Sequence, residues 1–393
     1  MVTSIVGLRV LREDEKCDCL HAFTRRGGMR YHYLIGGSGI PNYGDELIAL
    51  AWVSVIQRKR PNDKILLDVT DAEASKAIVG GRNVAHVEIL RHIAKRGAKE
   101  SFWDNIARGL RFFDDDGPNH HPNIKVLTDN LDNLATFHVF GGGYMNKRWP
   151  YAAFYLGLGA AIKKRSSAKV VATGLGLMPL PPPETPEQKA TAREIIKAFD
   201  LIEVRDVESS KAYPGTMAGL DDAFLSPKPQ LTSSPSTLHV AVSFAEQDWS
   251  AFARDLVERT AKDWSPAFDR VLFWNCAPQK DTFALGKFRE ALPSIEVIDV
   301  SGLVRGRVAF GVSDAMVATR FHPHLMAARA GVPGAFRFGN GYYSTKHGSV
   351  LALGSGFKLI DDQMRRLPND RGTLRLFDHH HKDRKRAMVA SIY

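Results

Sequence analysis

Residues 31–69 read YHYLIGGSGIPNYGDELIALAWVSVIQRKRPNDKILLDV, and the order of patterns in this stretch decides the fold class. An apolar run at 31–35 predicts a strand, and a glycine-rich turn leads from it into 45–58, where apolar residues recur at helical spacing. A second apolar run at 64–69 predicts the next strand. A strand, a helix and a strand in this order form a βαβ unit, which indicates a parallel sheet.

The same alternation continues on both sides of one segment rich in helix breakers, residues 226–236. Before that segment we predict strands at 124–127, 136–140, 169–174 and 201–204, and helices at 83–95, 151–164 and 185–199. After it we predict strands at 238–243, 270–275, 296–300, 315–318 and 334–338, helices at 249–262 and 322–330, and a partly helical C-terminal segment. The two series predict an α/β protein with two Rossmann-like domains facing across a cleft. The predicted domains are 1–230, in which 1–30 form an extension, and 231–393, which ends in a basic tail.

The charge balance of the chain favours anionic partners. Lys and Arg total 53 against 43 Asp and Glu, so the formal net charge is +10. No finger, basic zipper or RNA-binding motif is present, and we therefore expect no nucleic-acid partner. The basic run at 382–386 has two interpretations, a solvated tail or a peripheral contact with an anionic membrane surface.

The cysteines and the apolar runs bear on the compartment. Three cysteines, Cys17, Cys19 and Cys276, are too few for a disulfide framework and fit a reducing environment. The first eleven residues are apolar but show no cleavage site, and no apolar run reaches the ~20 residues that span a bilayer. We therefore expect a cytoplasmic protein, whose membrane contact, if it has one, is peripheral at the inner face.

Two glycine-rich turns follow predicted strands and could approach a ligand. The turn at 36–46 contains Asn42, Gly44 and Asp45 and opens a helix, whose N-terminus favours an anion. Asp45 could instead cap that helix. Gly141, Gly142 and Gly143 follow the strand at 136–140, and three successive glycines indicate that a ligand or the partner domain comes close.

Basic side chains follow two further strands. Arg205 ends the strand at 201–204, where its planar guanidinium suits a carboxylate or a phosphate, or else pairs locally with Asp206. Arg320 and His322 lie in a strand-to-helix turn, a favourable place for an oxyanion, and His322 could act as a general acid or base. His322 and His324 lack a third metal ligand nearby, so we assign no metal site; a capped helix with surface histidines is the alternative.

These motifs, in this order, resemble the polysaccharide pyruvyl transferase family. The residues that carry the resemblance span about 34–346 and are Asn42-Tyr43-Gly44-Asp45, His138-Val139-Phe140-Gly141-Gly142-Gly143, Val204-Arg205-Asp206, Asp221-Asp222-Ala223-Phe224, Arg320-Phe321-His322, Gly331-Val332-Pro333 and Tyr342-Tyr343-Ser344-Thr345-Lys346.

The resemblance implies a glycosyltransferase-B-like architecture and a transferase that works in polysaccharide or cell-envelope biosynthesis. The implied donor is phosphoenolpyruvate, a co-substrate rather than a cofactor, and the implied acceptor is a hydroxyl pair of a polysaccharide, oligosaccharide or glycolipid, which becomes a cyclic pyruvate ketal. The acceptor would lie on the N-terminal side and the donor on the C-terminal side of the cleft.

The resemblance also implies roles for individual residues. It places donor binding on Arg205, Arg320 and His322. From its chemistry we predict His322 as general acid, because an imidazolium can donate a proton near neutral pH, and Asp45 as acceptor of a hydroxyl proton. The remaining substrate contacts would come from Asn42, Gly44, Gly141, Gly142, Gly143 and Lys346. Two alternatives stay open: a nucleotide-sugar-dependent glycosyltransferase of the same architecture, and a non-catalytic homologue that binds sugar or phosphate.

Overall fold

The computed structural model describes residues 30–114, 121–180, 182–306, 309–338 and 341–393. Most of the extension predicted at 1–30, including Cys17 and Cys19, lies outside the described residues.

The first half of the chain forms a seven-stranded parallel sheet. Its strands are β1 (Tyr31–Ile35), β2 (Lys64–Asp68), β3 (Val84–Val87), β4 (Leu134–Val139), β5 (Lys169–Leu175), β6 (Leu201–Val204) and β7 (Met217–Ala218). Their spatial order is β3-β2-β1-β4-β5-β6-β7, so the first six follow the 3-2-1-4-5-6 order of a Rossmann fold. Every residue of β1, β2 and β4 is buried, as expected for strands that are covered by helices on both faces.

The second half repeats this arrangement. A short strand β8 (Gln230–Thr232) in the breaker-rich segment comes first, and the sheet that follows contains β9 (Thr237–Ala241), β10 (Arg270–Asn275), β11 (Glu296–Asp299), β13 (Ala315–Ala318), β14 (Gly334–Phe336) and β15 (Lys358–Leu359). Strand β12 (Ala309–Gly311) leaves this sheet and pairs with β8. The order β11-β10-β9-β13-β14-β15 is again that of a Rossmann fold. The predicted α/β class with two Rossmann-like units is therefore confirmed.

Helices cover both sheets. In the first half they are α1 (Tyr43–Lys59), α2 (Ala72–Ile78), α3 (Leu90–Lys95), α4 (Phe102–Leu110), α5 (Lys125–Thr128), α6 (Phe154–Arg165), α7 (Pro186–Ala198) and α8 (Val207–Ala212). In the second half they are α9 (Ala251–Arg259), α10 (Pro278–Ala291), α11 (Val300–Arg305), α12 (Phe321–Ala330), α13 (Gly341–Ala352) and α14 (Leu374–Ile392).

Two of the predicted elements are wrong. The apolar run at 124–127 is a helical turn that Pro122 opens and His121 caps, because a short buried run has the same composition in a helix as in a strand. The helix predicted at 83–95 is β3 followed by the short α3, because 84–87 pair with β2 and extend the sheet by one strand.

The last helix returns to the first sheet. In α14, Lys385 is almost fully buried and forms ion pairs with Glu203 and with Asp222, whose Oδ1 lies 2.7 Å from Nζ. The Tyr393 hydroxyl lies 2.7 Å from Nδ1 of His138 on β4. The interpretation of 382–386 as a solvated or membrane-facing run is therefore wrong for Lys385. The domain boundary near residue 230 stays a prediction, and α14 contacts both halves, since its Asp378 also pairs with Arg329 of α12.

Replacing Lys385 by Met should lower the free energy of unfolding by about 3–5 kcal/mol, because it leaves the carboxylates of Glu203 and Asp222 buried without their cation. Urea unfolding measures the change. Arg384, its exposed neighbour on the same helix, provides the matched control, and Arg384→Met should change the free energy by less than about 0.5 kcal/mol. Equal effects of the two substitutions would contradict a structural role for the buried ion cluster.

Candidate functional site

The predicted site residues lie where the carboxyl ends of the two sheets meet. Asp45 follows β1, Arg205 follows β6, and Arg320 and His322 follow β13. In open α/β sheets this end of the strands is where ligands bind. The two halves are in contact here, since the Tyr43 backbone N–H donates to the carbonyl of Cys276 over 2.7 Å.

The N-terminus of α1 packs directly against His322. Asn42 caps the helix, because its side-chain oxygen accepts a hydrogen bond from the Gly44 N–H at 3.3 Å. The cap role considered for Asp45 therefore belongs to Asn42. A Cβ on Gly44 would collide with the imidazole of His322, so only glycine permits this approach.

The glycine turn after β4 brings the backbone close to two carboxylates. The Gly141 N–H donates to Asp222 Oδ2 over 2.9 Å, and a Cβ on Gly142 would lie 3.5 Å from Oδ1 of Asp45. Gly142 has φ +142°, a conformation that side chains rarely adopt. Gly143, next in the chain, is half-buried. The glycines thus let β4 end beside Asp45, on the face of the cleft that the first half provides.

Asp221 connects the basic residues of the two halves. Its Oδ2 accepts a hydrogen bond from Arg205 Nη1 at 2.8 Å, and its Oδ1 lies 3.5 Å from Nε2 of His322. Burial alone would raise the pKa of Asp221, but the nearby His322 and the Arg205 guanidinium hold it well below its usual range. Asp221 is therefore ionised near neutral pH, and it supplies a fixed negative charge beside the imidazole.

Arg205 is nearly inaccessible in this conformation. Its side chain is 2% exposed, and the guanidinium lies 4.5 Å from the centre of the Phe321 ring. The position predicted for a donor-binding residue therefore holds an arginine that already pairs with Asp221 and stacks on Phe321. Arg205 can thus influence a ligand through the charge and position of Asp221.

Arg320 and Lys346 complete the cluster. Arg320 forms an ion pair with the buried Asp281 and donates to the Ser243 hydroxyl over 3.0 Å. Burial holds the pKa of Lys346 well below its usual range, and the positive charge of Arg205 acts in the same direction. Asp45 and Asp221 oppose this lowering, so Lys346 on α13 lies within electrostatic reach of both halves.

The structure therefore brings Asp45, Arg205, Arg320, His322 and Lys346 into one neighbourhood. His322 Nε2 is buried and, among the residues that the structure describes, has no hydrogen-bond partner. The motifs assigned no role to Asp221 or Asp281. Asp221 had a usable signal, because it begins an Asp-Asp pair in one of the motifs, whereas Asp281 lies inside α10 without any motif.

His324, two residues from His322, has a structural environment. It is buried, its Nδ1 lies 2.8 Å from Nδ1 of His347, and its Nε2 lies 2.8 Å from the Ser355 hydroxyl. Within the described ranges, no three His, Cys, Asp or Glu side chains converge in a way that could hold a metal ion. Along the same part of the chain, no helix combines the length and apolar content needed to cross a membrane.

A family model described as polysaccharide pyruvyl transferase matches residues 42–337. The match includes all the predicted site residues except Lys346. No curated protein sequence matches the chain.

Among solved structures, the UDP-GlcNAc 2-epimerase from Neisseria meningitidis bound to UDP-GlcNAc is 11% identical, with a TM-score of 0.49 over 92% of this chain and 99% of the other. A putative UDP-N-acetylglucosamine 2-epimerase from Listeria monocytogenes is 11% identical, with a TM-score of 0.47 over 92% and 91% of the two chains. A glycosyltransferase from Rickettsia africae ESF-5 is 8% identical, with a TM-score of 0.45 over 93% and 94%.

Asp221→Asn should lower the free energy of unfolding by about 3–5 kcal/mol at neutral pH, because it leaves Arg205 buried without its carboxylate. The effect should depend on pH. The folded pKa of Asp221 lies below that of the unfolded chain, so its stabilisation is complete above about pH 4 and is lost as the pH falls through the folded pKa.

Denaturation at several pH values measures this dependence. The difference in unfolding free energy between the wild type and Asp221→Asn should shrink below about pH 4. The exposed Asp132 gives the control, since Asp132→Asn should show a small difference at every pH. A difference for Asp221→Asn that stays constant down to pH 2 would argue against an ionised Asp221 in the folded protein.

Proposed function

Because the chain belongs to the polysaccharide pyruvyl transferase family, we propose that it transfers the pyruvyl group of phosphoenolpyruvate to a saccharide. The acceptor in this proposal is a pair of hydroxyl groups on a polysaccharide, an oligosaccharide or a glycolipid, and the products are a cyclic ketal and phosphate. Family membership gives the coarser statement, a transferase of pyruvate to a polysaccharide. The observation that supports the finer one is the convergence of Arg320, His322 and Lys346 with Asp45 where the two sheets meet.

The basic residues suit an anionic donor. Phosphoenolpyruvate carries a carboxylate and a phosphate, so a site for it needs converging cations. Arg320 would provide one cation, and the negative charge of the donor would favour the protonated form of Lys346, whose pKa burial lowers. His322 lies between the two halves of the cleft. Asp281 fixes the guanidinium of Arg320, and Arg320 Nε is buried without a hydrogen-bond partner among the described residues. Arg205 would contribute through Asp221.

The proposed reaction begins with proton transfer from the protonated imidazole of His322 to the methylene carbon, C3, of the donor. The new C3–H bond makes C2 electrophilic, and the first saccharide hydroxyl adds to C2. The bond between C2 and the phosphate oxygen then breaks, phosphate leaves, and the second hydroxyl closes the ring at C2. Asp45 would accept one of the two hydroxyl protons, and the other leaves with phosphate, so that His322 and Asp45 return to their starting states after proton exchange with water.

Asp221 has a positioning role in this scheme. Its ionised carboxylate lies 3.5 Å from Nε2 of the imidazole, and it is itself held by Arg205. A fixed charge at this distance orients the imidazole without consuming its proton. The proposed compartment is the cytoplasm, with any contact to the inner face of a membrane being peripheral.

His322→Ala should reduce the rate of phosphate release by ~10²–10⁴, because it removes the proposed general acid. The assay incubates the protein with phosphoenolpyruvate and a panel of saccharides and measures inorganic phosphate. The control is His379→Ala on α14, since the His379 side chain is 84% exposed and lies outside the cleft.

Three outcomes would contradict the proposal. Near-normal turnover by His322→Ala would refute the role of this histidine. Release of a nucleoside diphosphate from UDP-sugars, with none of phosphate from phosphoenolpyruvate, would identify a glycosyltransferase instead. Binding of phosphoenolpyruvate without phosphate release from any acceptor would indicate a non-catalytic homologue.

Gly44→Ala should lower kcat by about 10²-fold, because the new methyl group displaces the imidazole of His322. The measurement combines phosphate release with a thermal melt, so that a misplaced catalytic group is distinguished from unfolding. Gly286→Ala on α10 is the matched control, because a Cβ there meets nothing within 4 Å. Unchanged kcat in folded Gly44→Ala would show that the contact between α1 and His322 does not govern turnover.

A further inference from the structure

A second concave surface lies outside the cluster of Asp45, Arg320, His322 and Lys346. It is a groove of about 920 Å³ bounded by one face of α1, by α11, by α14 and by residues 225–230. Neither Arg320 nor Lys346 lines it, and it follows α1 from Tyr43 towards Lys59. We call it the basic groove, after the charges described below.

The floor of the basic groove is apolar. It is formed by side chains of α1 in the first half and of α11 and α12 in the second half, among them Leu47, Leu50, Val55, Leu303, Val304 and Met326. An apolar floor of this extent gains free energy when a ligand's hydrocarbon removes it from water. The groove is therefore suited to a ligand with an apolar part.

The rim carries one sign of charge. Its basic residues are Arg58, Lys59, Lys228, Arg305, Lys382 and Arg386, and no Asp or Glu is among the described residues that line the groove. Within the described part of the chain, Arg386 alone of these forms an ion pair, with the exposed Asp383 at 3.2 Å. Lys228 donates to the carbonyl of Arg375, and Arg305 donates to the carbonyl of Ile78. These carbonyls are neutral, so the charges of Lys228 and Arg305 stay uncompensated.

The crowding of these charges affects Lys382. Burial lowers its pKa, and the nearby Arg386 and Arg329 lower it further, whereas the carboxylate of Asp378 acts in the opposite direction. Because the basic residues that α1 contributes, together with Lys228 and Arg305, have no carboxylate partner among the described residues, an anionic group would meet uncompensated positive charge in the groove.

We propose that the basic groove binds a lipid phosphate, that is, one apolar chain that ends in a phosphate or diphosphate group. The apolar floor accounts for the chain and the basic rim accounts for the headgroup. Free phosphate would leave the floor exposed to water, and a bilayer surface would not enter a concave groove. This site does not depend on the transfer of pyruvate, because the residues that line it are separate from the proposed catalytic group His322.

The test uses dodecyl phosphate below its micelle-forming concentration and measures binding to the full chain by calorimetry. Inorganic phosphate and the neutral dodecyl maltoside provide the two halves of the ligand separately. We expect dodecyl phosphate to bind at least about tenfold more tightly than either, because charge-assisted contacts and apolar burial each contribute more than a factor of ten.

Two variants locate the site. Lys382→Glu combined with Arg386→Glu should weaken dodecyl phosphate binding at least tenfold, and Leu50→Asn should weaken it through the floor alone. Lys189→Glu combined with Lys197→Glu, an equal charge change on exposed positions of α7, should leave binding unchanged. Thermal melts confirm that each variant is folded, and Leu50→Asn keeps the test decisive if the charge reversal unfolds the chain.

Several results would overturn the proposal. Equal binding of inorganic phosphate would assign the basic residues to a free anion, and equal weakening by the two double variants would show non-specific attraction. Binding to vesicles of anionic phospholipid without binding of monomeric dodecyl phosphate would identify a membrane-facing surface instead. Loss of pyruvyl transfer in His322→Ala has no bearing on these results, so the two proposals fail separately.

Discussion

The adjacent carboxylates of Asp221 and Asp222 are the constraint on which the rest of the structure depends. Asp222 is fully buried and accepts hydrogen bonds at 2.9 Å from the Trp52 indole, the Gly141 N–H and the Thr173 hydroxyl, while Lys385 pairs with its other oxygen. Buried charges are tolerated only when they are paired and hydrogen-bonded, so these partners must be present together. Asp222 thereby joins α1, the ends of β4 and β5, and the last helix. Asp221, one residue earlier, instead contacts Arg205 and His322 in the cleft.

The separate contacts of Asp221 and Asp222 explain why the side chains of the cleft are held in fixed positions. Asp221 is fixed by Arg205, and Arg320 is fixed by Asp281, so the groups facing the cleft are positioned by partners that are themselves buried. Charged groups that are oriented before a ligand arrives need no reorganisation when it binds. The cost of keeping several buried charges in the fold is offset by ion pairs, and the result is a cleft whose electrostatics are set by the folded chain.

The sequence predicted the centre of each sheet well and its periphery less well. Strands such as β1 and β4 are mostly apolar runs followed by glycine, which is the pattern expected of strands covered on both faces. The run at 124–127 was predicted wrongly because a short buried helical turn has the same composition. Arg205 directly follows a strand, and Asp45 and His322 lie in the first turns of the helices that follow strands, as the motifs predicted, because turns after parallel strands meet at one edge of a sheet.

The contacts that sequence could not reveal are those between distant residues. Lys385 lies in a run of charges that resembles a solvated tail, and its partner Glu203 is 182 residues away in the chain. Local composition contains no information about such a pairing, because the same lysine would be exposed if α14 packed elsewhere. Asp281 is similar: nothing in its neighbourhood distinguishes it from the other acidic residues of a helix until Arg320 is seen beside it.

The link between the halves bears on how the cleft works. Tyr43 bonds to the Cys276 carbonyl and meets the edge of the Trp274 ring, and the buried Arg329 of α12 donates to the Ala223 carbonyl and pairs with Asp378 of α14. These contacts join the start of α1 to the end of β10 and the last turn of α12 to residues 222–225 and α14. Binding energy from a substrate is therefore available for orientation and charge stabilisation in the transition state rather than for bringing the two halves into contact. On this argument the fixed contact between Gly44 and His322, rather than closure of the cleft, sets the position of the proposed proton donor.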